Sequence, residues 1–82
     1  MERNEVLEQV NEIFIEVLDN NNVSLSDATT AADIEEWDSL THIQIVVAIE
    51  KHFKIRFASK EILRWENVGE MINAITNKLS MV

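Results

Sequence analysis

Proline is absent from these 82 residues and glycine occurs once, at Gly69. A chain so poor in the residues that punctuate turns cannot supply the many tight reversals of an all-β fold, and it suits long helices. The apolar residues agree. Val6, Leu7, Val10, Ile13, Phe14, Val17 and Leu18 recur at spacings of three and four, one stripe of an amphipathic helix, with Glu2, Glu5, Glu8, Glu12 and Glu16 mostly off it. Asn4 is the expected N-cap. Asp19-Asn20-Asn21-Asn22 ends this helix, because such short polar side chains compete for backbone hydrogen bonds.

From Val23 to Trp37 no period holds, and a long ordered loop with a turn of helix is expected, pinned to the core by Leu25, Ile34 and Trp37. Loops this long in small domains tend to be functional. Asp38-Ser39 opens a second helix running to about Lys54. Ser59 to Arg64 forms a short third helix with Ser59 as its N-cap. Asn67 followed by Glu70 resembles a capping box and opens a last helix with the stripe Val68, Met71, Ile72, Ile75 and Leu79. Gly69, near its start, costs about 1 kcal/mol relative to alanine and has no reason visible in the sequence. The expected fold is all-α, a four-helix bundle of three longer helices and one short one with a long first crossing, as a single domain over residues 1–82.

Size and charge narrow the function. A chain of this mass hides roughly 60–65% of its extended surface on folding, one modest core and no two-walled catalytic cleft. No cysteine is present, which removes disulfides, thiolate zinc sites and cysteine nucleophiles. The longest apolar run, Ile45-Val46-Val47-Ala48-Ile49, is far short of a membrane span. The first residues lack the basic and then apolar regions of a secretory signal, so a soluble cytoplasmic monomer is expected. Net charge is −8, and residues 1–38 hold eleven acids against one base while residues 39–82 hold four acids against six bases. The acidic half argues against nucleic acid and anionic membranes and favours steering toward basic partner surfaces.

At 100° per residue, the second helix has two apolar sides. Ile45, Val46, Ile49 and Phe53 form a core face, and Leu40, Ile43 and Val47 form a narrower stripe roughly opposite, starting beside Ser39. A helix apolar on both sides is either central in its bundle or carries an exposed docking stripe. Asp38 and Ser39 are ordinary capping residues. If Asp38 caps, however, the Ser39 hydroxyl is left exposed at the first turn, where free N–H groups and the helix dipole tolerate a phosphate.

Trp37-Asp38-Ser39-Leu40 followed by Thr41, Ile43, Ile45, Val46, Ala48, Ile49, Glu50 and Phe53 resembles the acyl carrier proteins over nearly the whole chain, and Ile55-Arg56-Phe57 fits that family's step out of its second helix. The resemblance implies a carrier and not a catalyst. Ser39 would hold 4′-phosphopantetheine as a phosphodiester, with Asp38 and Leu40 as the motif's flanks and Asp38 aiding recognition by the loading enzyme. Leu40, Ile43, Val47 and Glu50 would form the docking surface. Phe14, Ile45, Val46, Ile49, Ile62 and Ile72 would be candidates to line a sheltered acyl chain. Implied partners are a phosphopantetheinyl transferase (holo-acyl-carrier-protein synthase) and acyl-loading or acyl-processing enzymes such as a ketosynthase or an acyl-carrier ligase, in fatty-acid, polyketide or specialised lipid and secondary-metabolite synthesis.

The sequence also departs from the pattern of the family it resembles. Thr41, Gln44 and Lys51 stand where acids are common, and Glu36-Trp37 replaces the usual glycine before the motif. A stand-alone carrier serving a dedicated pathway fits these departures. Two other readings are a peptidyl or aminoacyl carrier and an unmodified helical interaction module using the Leu40-Ile43-Val47 stripe.

Catalytic and metal sites are not expected. Ser39 and His42 could touch at i, i+3, but Asp38 adjoins the serine instead of orienting the histidine, and no second oxyanion donor is evident. His42 and His52 are too far apart to share an ion, and each reads as a surface or partner-facing side chain. The run beginning at Asp19 fails as a calcium loop, with Ser24 and Thr30 at the positions needing glycine and glutamate. Trp37 and Trp65 read as loop anchors.

Overall fold

The computed structural model describes residues 2–80, and its order is α1 (Arg3–Leu18), a single 3₁₀ turn (Ala31–Asp33), α2 (Ser39–Phe53), α3 (Ser59–Arg64) and α4 (Val68–Ser80). The described residues contain no strand and no helix long and apolar enough to cross a membrane. Helix α1 packs against both α2 and α4. Its stripe buries Val6, Val10 and Phe14 completely, with Ile13 and Leu18 nearly so, against Ile45, Ile49, Met71, Ile72 and Ile75. The five glutamates expected off this stripe are all exposed.

Two N-caps differ from expectation. Helix α1 starts one residue before Asn4, at Arg3, with Glu2 as its cap, and the Glu5 carboxylate reaches back to accept from the Glu2 N–H at 3.2 Å. Helix α3 is capped by Ala58 and not Ser59, and Glu61 accepts from the Ala58 N–H at 3.1 Å. In both, an acid inside the first turn satisfies the cap residue's own N–H, the return half of a capping box. Asn67 caps α4 as expected, accepting from the Glu70 N–H at 2.9 Å, while the Glu70 carboxylate reaches one residue further back, to the Glu66 N–H at 3.2 Å.

The long loop is held by polar bonds as well as by its apolar pins. Leu25 and Trp37 are buried and Ile34 packs against the core. Midway along α1, the Asn11 amide accepts from the Leu25 N–H at 2.8 Å and donates to the Val23 carbonyl at 3.2 Å. Farther on, the carbonyls of Thr29 and Asp27 accept from the Val68 and Gly69 N–H groups at 2.8 and 2.9 Å, so loop backbone caps the start of α4. This contact explains Gly69, because a Cβ there would meet the Asp27 carbonyl oxygen at 3.0 Å. Arg3 closes the seam, pairing with Asp27 at 2.7 Å and donating to the Gly69 carbonyl and to Asn73, each at 3.1 Å.

Candidate functional site

The turn from loop to α2 is built by a reciprocal cap. Asp38 accepts from the Thr41 N–H at 2.9 Å, and the Thr41 hydroxyl accepts from the Asp38 N–H and donates to the Glu36 carbonyl, both at 2.8 Å. The bond from the Thr41 N–H holds the exposed Asp38 carboxyl below the usual aspartate range. Thr41 thus performs a capping task at the start of α2. Glu36 ties this turn to the segment after α1 by accepting from the Asn20 amide at 3.2 Å.

With Asp38 committed to the cap, Ser39 is left as the first residue of α2, exposed and with no side-chain hydrogen bond. Beside it opens a groove of about 550 Å³ whose walls include Trp37, Ile43, Ile62, Leu63 and Trp65. The groove is chiefly apolar, which suits a long flexible chain with few charged atoms.

His42 fixes one wall. Its Nδ1 accepts from the Trp37 indole N–H at 3.1 Å and its Nε2 donates to the Ile62 carbonyl at 3.1 Å. An indole N–H only donates and a carbonyl only accepts, so this pair of bonds selects the neutral ring protonated on Nε2. The expectation of a surface histidine is therefore corrected. His42 is half-buried and joins the loop, α2 and α3, because the loop's fold turns Trp37 onto it. Neither ring nitrogen remains to activate Ser39. His52 is exposed, as expected, and meets Gln9 across to α1 at 2.6 Å. No cluster of three or more His, Cys, Asp or Glu side chains able to hold a metal exists among the described residues.

The stripe beside Ser39 stands in solvent, with Leu40, Ile43 and Val47 exposed by 68%, 47% and 42%. Glu50, expected to share that surface, is half-buried and accepts from the Phe57 N–H at 2.8 Å, so part of its carboxylate braces the turn after α2. Of the expected acyl-lining residues, Phe14, Ile45, Val46, Ile49 and Ile72 are buried, while Ile62 is half-buried in the groove wall. Sequence reasoning missed Leu63, which is 78% exposed on the opposite lip. The adjacent pair Ile62-Leu63 carried a signal, since a helix turns neighbouring residues to different faces and only one of them can point inward. Trp65 anchors the loop after α3, its ring edge-on to Phe57 at 5.0 Å.

The chain is similar to known proteins in both sequence and fold. A family profile described as a phosphopantetheine attachment site matches residues 8–75. The acyl carrier protein of Caulobacter vibrioides is 30% identical over 74 residues, covering 90% of this chain and 95% of its own. That of Petrotoga mobilis is 29% identical over 83 residues, covering 99% and 95%. Among solved structures, the holo acyl carrier protein of Geobacter metallireducens superposes with a TM-score of 0.87 at 37% identity, over 93% of this chain and 87% of that one. The acyl carrier protein of Thermotoga maritima gives 0.87 at 25% identity, over 99% and 94%.

Proposed function

The chain belongs to the acyl carrier proteins, the family that carries phosphopantetheine, and on that premise we propose that Ser39 is its point of attachment. The observation that carries this reading is the exposed, unbonded Ser39 hydroxyl at the mouth of α2. Asp38 supports it by taking the capping role, which leaves the serine available to a loading enzyme. The helix dipole favours negative charge at that end. When attached, 4′-phosphopantetheine supplies a terminal thiol that holds acyl groups as thioesters. The residues of this chain bind and orient: Trp37, Ile43, Ile62, Leu63 and Trp65 offer apolar contact along the groove, and His42 keeps its wall in place. In this reading the protein is a carrier and not a catalyst.

Leu40, Ile43 and Val47, with Glu50 at their edge, are the proposed docking surface. The partners are a phosphopantetheinyl transferase and enzymes that load or process the acyl group, such as a ketosynthase or an acyl-carrier ligase. A dedicated pathway, separate from housekeeping fatty-acid synthesis, fits the commitment of Thr41 to the cap and the bases that end α2.

Incubation with coenzyme A and a broad-specificity phosphopantetheinyl transferase, followed by intact-mass measurement, tests the assignment. Wild-type protein gains one prosthetic group and Ser39→Ala gains none. No gain with several competent transferases, or an undiminished gain in Ser39→Ala, overturns it.

A further inference from the structure

The exposed stripe of α2 does not end at Val47. One turn further along the same ridge stands Lys51, followed by Lys54 at the C-cap. Val47, Lys51, Lys54 and Arg56 share a shallow bowl of about 520 Å³, completed by Glu50 and Ile55. All three bases are exposed. The ion pairs among the described residues are Arg3 with Asp27 and Lys78 with Glu61, so none of the three bases is ion-paired. Glu50, the acid in the bowl, accepts from the Phe57 N–H. Lys54 also adopts φ 58°, left-handed backbone in which glycine is the favoured residue at a helix end. The apolar ridge thus ends in three exposed bases without an ion-pair partner.

We infer that this ridge docks a protein whose contact surface joins an apolar pocket, filled by Leu40, Ile43 and Val47, to a cluster of carboxylates that meets Lys51, Lys54 and Arg56. The inference rests on the carrier reading and specifies the chemistry of the carrier's partner. Charge complementarity supports it twice. The bowl attracts carboxylates, and residues 1–38, with eleven acids and one base, repel the same partner from α1. An acidic partner is therefore both attracted and oriented, with Ser39 at the other end of the ridge. A basic, apolar patch also suits an anionic membrane, but a continuous anionic surface meets the acids of residues 1–38 as well as the bowl, whereas a protein can confine its carboxylates to the bowl.

The test uses amide NMR titration of the full protein with two peptides, an amphipathic helix whose leucine stripe is flanked by glutamates and the same helix with lysines in their place. Vesicles of phosphatidylglycerol and phosphatidylcholine are titrated in parallel. The glutamate peptide is expected to bind about tenfold tighter at low salt, to shift the amides of Ile43, Val47, Lys51 and Lys54, and to lose its advantage as salt is added. Lys54→Gly, which relieves backbone strain and so keeps the fold, weakens that preference, and Lys51→Glu with Lys54→Glu and Arg56→Glu inverts it. Tighter binding of the lysine peptide, binding of neither peptide, or binding of the vesicles alone overturns the inference. Each sample is also scored for prosthetic-group gain. Gain without a peptide preference refutes the partner chemistry and spares the carrier, whereas preference without gain refutes the carrier and leaves the docking surface.

Discussion

The seam between the long loop and α4 and the groove between α2 and α3 lie on one small bundle and are held in opposite ways. At the seam, backbone meets backbone: loop carbonyls cap α4, Gly69 admits the close approach, and Arg3 binds both sides. At the groove, Ile43 and Leu63 stand in water, and Leu40 and Val47 continue the exposed stripe along α2. Helix α3, a short segment, is tied there by the His42 bridge, the Glu61–Lys78 pair and the edge-on contact of Phe57 with Trp65. Exposed large apolar side chains contribute little to folding. Their concentration beside an unbonded serine marks surface kept for contact with other molecules. One side of the molecule is built to stay shut, and the other is left open to partners.

The largest expected effect contrasts the core behind the site with its lip. Phe14→Ala should lose about 3–5 kcal/mol of stability, and Leu63→Ala should stay within about 0.5 kcal/mol, both read by chemical denaturation. Comparable losses would erase the distinction between the shut and open sides. Next, Gly69→Ala tests the seam. Helix propensity alone would gain up to about 1 kcal/mol, but crowding against the Asp27 carbonyl should reverse the sign to a loss of about 1–3 kcal/mol. A more stable variant would mean that the loop yields easily.

Trp37→Phe keeps the aromatic packing on Phe14 but removes the N–H that His42 accepts. A loss of about 1 kcal/mol is expected, with faster amide exchange in α3. Unchanged exchange there would show that the His42 bridge does not hold the groove wall. The smallest effect concerns pH. The folded Asp38 carboxyl titrates below its ordinary range, so its stabilisation is complete above that range and fades as pH falls through the lowered value. Asp38→Asn, which keeps a capping oxygen, should flatten this acid limb in melting curves taken at descending pH. An unchanged limb would mean that other carboxylates govern it.

The helices were largely legible because periodicity depends on residues near in sequence, and the stripes of α1, α2 and α4 are nearly complete. Asp38 and Ser39 were legible as a cap and a free hydroxyl for the same local reason. The caps at Glu2 and Ala58 were hidden because the backbone N–H is the capped group, and the informative residues were the acids Glu5 and Glu61, three positions on. The roles of Gly69, Asp27 and Arg3 depend on contacts spanning 24 to 66 residues, which no local pattern carries. His42 was misread because its partners, Trp37 and Ile62, converge only once the loop and α3 have folded.

The most direct measurement is peptide-level mass spectrometry of the protein purified from its own cells. The account predicts phosphopantetheine on the peptide containing Trp37-Asp38-Ser39 and on no other, with a fraction of the arms still bearing an acyl thioester whose mass reports the cargo. A bare Ser39 throughout the population, or an arm on any other residue, would contradict it.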